Sequence, residues 1–98
     1  MDLKKESDEV FYVQRSICRI DQEDLNYLKS AAAKNKRKRA RICTHPNIED
    51  TLHEMIIVHA RGAYVRPHMH LGKSESFYVI EGRLRVIIFD QNGNKTET

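Results

Sequence analysis

Residues 62–82 read GAYVRPHMHLGKSESFYVIEG, and how this stretch is read decides the fold. In an extended strand successive side chains alternate between faces, so His68 and His70 project on one side and direct two imidazoles toward one point. Leu71 to Ser74 form a short link, after which Glu75 opens a second β-prone run, SFYVIE, and brings a carboxylate from neighbouring backbone. Two nitrogen donors and one oxygen donor from adjacent strands suit a divalent transition metal. Gly62 and Gly82 bracket the unit at positions where tight turns favour glycine. Taken singly, each member has a plainer reading: a histidine in a strand is usually hydrogen-bonded or on the surface, and a glutamate usually faces water. The joint spacing is what favours a metal site.

Outward from this stretch the β pattern continues in both directions. Downstream, RLRVIIFD follows Gly82, and QNGN makes a hairpin-type turn before KTET. Upstream, LHEMIIVHA is an apolar run with β-branched residues, and a turn at Arg61-Gly62 leads into AYVRPHMH. Strands so closely spaced predict an antiparallel sandwich or barrel. Further upstream, DQEDLNYLKSAAAKNK has helical character: Asp21 is a capping residue, Glu23 and Asp24 suit the positive end of the helix dipole, and Leu25, Leu28, Ala31 and Ala32 share one face. The spacing predicts a helix over about 22–35. Residues 10–20 predict one or two short strands, and residues 1–9 a loose start.

With 98 residues, 40% hydrophobic and 32% charged, the chain is sized for one soluble domain. No apolar run approaches the roughly 18 residues of a membrane span. The N-terminus lacks a secretory segment and the two cysteines, Cys18 and Cys43, offer no dense disulfide framework, so a cytoplasmic location and structural thiols are expected. The net charge of +3 is local: removing Lys34, Lys36, Arg37, Lys38, Arg39 and Arg41 leaves −3. Nucleic-acid binding through residues 34–41 is therefore the lesser reading, because a basic cluster alone gives only salt-sensitive, non-specific affinity.

The pattern G-x5-H-x-H-x4-E-x6-G over residues 62–82 is identified as the first motif of the cupin superfamily. The resemblance implies a mainly β fold, a cupin-type jelly-roll β-barrel or sandwich, with one N-terminal α-helix. It implies a single domain over 1–98, with strand, helix and basic segment in 1–44 and the first part of the barrel in 45–98. By the same resemblance His68, His70 and Glu75 are metal ligands pointing into the barrel. Phe77 would line the cavity on Glu75's face, and Tyr64 and Arg66 would share the histidines' face. From about residue 18 to 95 the chain is also similar to the WbuC-type cupin fold metalloproteins, associated with O-antigen and related surface polysaccharide biosynthesis. That similarity rests on the basic segment with Arg39 and Arg41, on His45-Pro46, on His53-Glu54-Met55 and on the motif itself.

A second cupin motif, with its later histidine, is absent from these 98 residues. The expectation is a barrel incomplete at the C-terminus, a three-ligand site with open positions, and exposed strand edges that favour a homodimer. His53 or His59 could in principle supply a further donor. The first functional reading is a metal-dependent isomerase, epimerase or related enzyme acting on a sugar or nucleotide-sugar, with one divalent Fe, Mn, Zn, Ni or Co ion. Arg39, Arg41 and Arg66 would bind its phosphates or carboxylates, with His45 and His53 as further candidates. The second reading is a non-catalytic cupin that binds metal or a sugar-derived ligand.

Overall fold

The computed structural model describes residues 3–69 and 72–98, so His70 of the expected ligand set lies outside the described residues. The chain divides into two compact units, Met1–Tyr64 and Val65–Thr98. In the first unit, strands β1 (Leu3–Lys5), β2 (Val10–Val13), β3 (Arg39–Cys43) and β4 (Met55–His59) form one sheet in the order β1-β2-β3-β4. In the second, β5 (Ile88–Phe89) and β6 (Lys95–Glu97) form a separate antiparallel pair. The fold is thus mainly β, and among the described residues there is one helix, α1 (Gln22–Lys34), and neither sheet closes on itself.

The helix begins where the sequence places it. Asp21 takes an extended backbone, its carboxylate accepts from the Asp24 N–H at 3.1 Å, and the Asp24 carboxylate accepts from the Asp21 N–H at 3.0 Å. This reciprocal cap satisfies two donors that a helix start otherwise leaves unpaired. At the far end Asn35 holds the chain. Its N–H donates to the Ala31 carbonyl, and its side-chain NH2 donates to the carbonyls of Ala31 and Arg39. Lys38, with φ of 56°, then turns the chain into β3.

Between β2 and β3 the helix serves as a crossover. These two strands run parallel, with Phe11 opposite Ile42 and Tyr12 opposite Cys43, whereas β1–β2 and β3–β4 are antiparallel. Alternation along the strands sends Phe11, Val13, Ala40 and Ile42 to the helix side, where they bury against Leu28 and Ala32, with Ile56 and Val58 of β4 packed alongside. Leu28, Ala32 and Ile42 are fully buried.

In the second unit the expected turn forms at QNGN. The Asp90 carboxylate accepts from the N–H groups of Asn92 and Asn94, each at 2.9 Å, and Gly93 takes φ of +83°. Strands were also expected over AYVRPHMH, SFYVIE and the whole of RLRVIIFD. Among the described residues, ladder pairing in this unit is confined to β5 and β6. Side-chain propensity favours extended chain, but a strand is completed only by a neighbour's hydrogen bonds.

Candidate metal centre

Three glycines of the motif segment carry positive φ: Gly62 at +87°, Gly72 at +67° and Gly82 at +82°. A side chain at any of these positions would be strained, so the two glycines bracketing the motif are conformationally required. Between them, Nδ1 of His68 lies 2.9 Å from the Arg66 carbonyl oxygen. A carbonyl can only accept, so Nδ1 donates, and a neutral His68 carries its lone pair on Nε2. That is the arrangement in which a histidine ligates through Nε2 while the other ring nitrogen is anchored. Glu75, exposed in the second unit, supplies oxygen donors. Two imidazoles and a carboxylate fit a divalent transition metal in donor type. His70 lies outside the described residues, and among the described residues no group of three metal-ligating side chains is assembled. Of the associated candidates, Tyr64 and Phe77 are 74% and 63% exposed, and Arg66 is exposed.

The remaining candidates lie in the first unit. Arg39 and Arg41 point to the sheet face opposite the helix, by alternation with the buried Ala40 and Ile42. Arg39 Nε bonds Glu9 Oε1 at 3.2 Å, and Arg37 Nε lies 3.5 Å from Glu9 Oε2. One carboxylate therefore faces two cations of the basic segment and offsets part of its charge. Across the β3–β4 pairing, His59 stands opposite Arg39. Partial burial, reinforced by the Arg39 charge, holds its imidazole below the usual histidine range. Beside Arg41, burial pushes the Cys43 thiol up, and the guanidinium only partly counters this.

His45 and His53 come together. Their rings stack with centroids 4.3 Å apart and planes 13° apart, and Tyr12 meets His45 edge-on at 5.8 Å. His45 is only 5% exposed, and its Nδ1 is 3.1 Å from both the N and the O of Glu54. The Glu54 carbonyl already accepts from the Thr44 N–H at 2.8 Å and lies 2.9 Å from the Thr44 hydroxyl. His45 Nδ1 is therefore the acceptor of the Glu54 N–H, which places its own proton on Nε2. In this role His45 closes the loop between β3 and β4, joining the His-Pro and His-Glu-Met segments. Stacked parallel rings direct their nitrogen lone pairs side by side, an arrangement unsuited to chelating one ion.

Sequence reasoning missed Glu9, Tyr12, Asn35 and Asp90. The partners of Glu9 and Tyr12 lie about thirty residues away along the chain and are brought close only by the β2–α1–β3 crossover. The Asp90-Gln91-Asn92-Gly93 sequence, by contrast, carried a local signal for Asp90, because an aspartate before such a turn accepts from backbone N–H groups two residues on.

The class defined by these features is a mainly β protein with one capped crossover helix and a His/Glu-bearing segment bracketed by obligatory glycines. The chain belongs to the family described as a domain of unknown function (DUF6016), which matches residues 20–98. No curated protein and no solved structure matches it. No helix among the described residues is long and apolar enough to cross a membrane.

Proposed function

We propose that this chain is a cupin-type metalloprotein of the WbuC kind, a jelly-roll protein that binds one divalent transition metal through His68, His70 and Glu75. The observation that carries the reading is the His68 ring, anchored through Nδ1 to the Arg66 carbonyl with its lone pair assigned to Nε2. The positive-φ backbone positions of Gly62 and Gly82 add support, since they stand where the motif has glycine. Bound there, the metal supplies Lewis acidity toward a carbonyl or a water. Arg66, two residues before His68, provides a cation for the phosphate or carboxylate of a sugar or nucleotide-sugar substrate. The reaction class is isomerisation, epimerisation or a related sugar modification in surface polysaccharide biosynthesis, carried out by a cytoplasmic homodimer.

Elemental analysis of protein purified without chelators tests the site. Stoichiometric metal is expected in the native protein, and almost none in the His68→Ala/His70→Ala variant. Equal metal content in the two refutes the ligand assignment. Turnover of nucleotide-sugars by the metal-loaded protein, absent in the variant, tests the enzymatic part; stable metal binding with no turnover favours a binding protein instead.

A further inference from the structure

An open groove of the first unit, about 780 Å³, is assigned to no part of the metal reading. Its size falls within the roughly 300–1,000 Å³ typical of small-molecule sites. Its position follows from topology. Gln14, Arg15 and Ser16 leave the carboxyl end of β2, and Thr44, Pro46 and Asn47 leave the carboxyl end of β3. These strands are the parallel pair joined by α1, and ligands of sheets with parallel strands bind beyond their carboxyl ends, where the outgoing loops separate.

The lining selects a ligand chemistry. Lys4 and Arg15 are balanced by Glu6 and Asp50, so the groove has no formal net charge to concentrate an ion of either sign. Nor does the start of α1 offer an anion site, because Asp21, Glu23 and Asp24 already occupy the positive end of its dipole. What remains is an apolar floor with neutral hydrogen-bonding groups. Tyr12, Pro46 and Ile48 supply the floor, and the Tyr12 ring is held in place by its edge contact with His45. Gln14, Ser16 and Asn47 supply donors and acceptors. The side-chain Oδ1 of Asn47 accepts from the Glu49 N–H at 2.9 Å, which fixes the side-chain amide and leaves its NH2 donors for a ligand.

We infer that this groove binds a small neutral polyhydroxylated molecule, a saccharide unit of one or two rings, with its apolar face on Tyr12 and its hydroxyls on Gln14, Ser16 and Asn47. All of these residues precede residue 65, and the site requires no metal. The test is a titration of the isotope-labelled full chain, in the presence of a chelator, with glucose, galactose, N-acetylglucosamine and maltose, followed by backbone amide shifts. At least one is expected to give saturable shifts confined to residues 12–16 and 44–50. Removing two hydrogen-bonding groups in the Gln14→Ala/Asn47→Asp variant should weaken binding roughly tenfold, with the amides of α1 unchanged. Asn47→Asp keeps the acceptor that orders the loop, so the variant should fold. The inference is overturned if no saccharide saturates, if the shifts lie elsewhere, if the folded variant binds equally well, or if inorganic phosphate shifts the same amides in place of the sugars. Because the chelator removes any metal, failure here leaves the His68/His70 reading standing, and failure of that reading leaves this one standing.

Discussion

Asn35 ends α1 in a way that periodicity does not announce. Its side-chain NH2 bonds the Ala31 carbonyl of the last helical turn and the Arg39 carbonyl at the start of β3, while its Oδ1 accepts from the Arg39 N–H at 3.3 Å. One amide thereby satisfies backbone groups from two elements and sets where the chain turns back. The Ala31 carbonyl keeps the Asn35 backbone N–H, but removing the amide takes a donor from the partly buried Arg39 carbonyl and an acceptor from the Arg39 N–H, so Asn35→Ala should cost about 1–3 kcal/mol in urea unfolding. A loss indistinguishable from that of an exposed substitution such as Lys36→Ala would show that water replaces the amide without penalty. The contrast with Asp21 explains what was legible. Asp21 and its partner Asp24 are three residues apart, so the cap is visible in the sequence; the Asp8 carbonyl, 27 residues before Asn35, reaches its amide only after β2 and β3 have paired. The same limit applies to His45, whose residue type suggested chemistry and whose bonds to Glu54 fasten a loop.

At the scale of elements, α1 was legible because three-and-four spacing is a local property, and the apolar face expected from Leu28 and Ala32 is the face that buries. The short strands β2, β3 and β4 were legible as extended segments. Their pairing was not, since VFYV and RARIC carry the same alternation whether they run parallel or antiparallel. The crossover decides: a helix between two strands returns the chain to the end at which it began, so β2 and β3 align in the same direction. This arrangement lays α1 over β3 and β4, with Phe11 and Val13 of β2 reaching the same core, and Leu28 lies in it fully buried. Leu28→Ala should therefore lower unfolding stability by about 2–5 kcal/mol, the range for a leucine cavity in a packed core. Tyr27 touches Phe11 edge-on at 5.4 Å but is half exposed, so Tyr27→Ala should cost less. If the two variants unfold at the same denaturant concentration, the helix does not pack through the face described.

For the whole molecule, the two units should respond differently to acid. In the first, His59 is held below the usual histidine range by partial burial and by Arg39, so the unfolded chain binds its proton more readily than the fold does. Its contribution to stability is present above about pH 6.5 and is lost as pH falls through the lowered folded value. Asp21 adds a later loss. Its carboxyl is held below the usual range chiefly by the Asp24 N–H, so its contribution is present above about pH 3.9 and disappears as pH falls through its own lowered value. In the second unit, Asp90 behaves as Asp21 does, held down first by the Asn94 N–H and also by that of Asn92, and His59 has no part in it. Amide hydrogen-exchange protection measured from pH 7 downward should therefore begin to fall at β3 and β4 below about pH 6.5. At Asn92 and Asn94 it should hold until the carboxylate range. Because His59 remains largely exposed, the early loss should be small, and His59→Gln should abolish it without moving the later one. If protection at β3 and β4 instead stays constant down to the carboxylate range in the native protein, then the Arg39–His59 pairing carries no energetic weight, and the acid response of the first unit begins with its carboxylates.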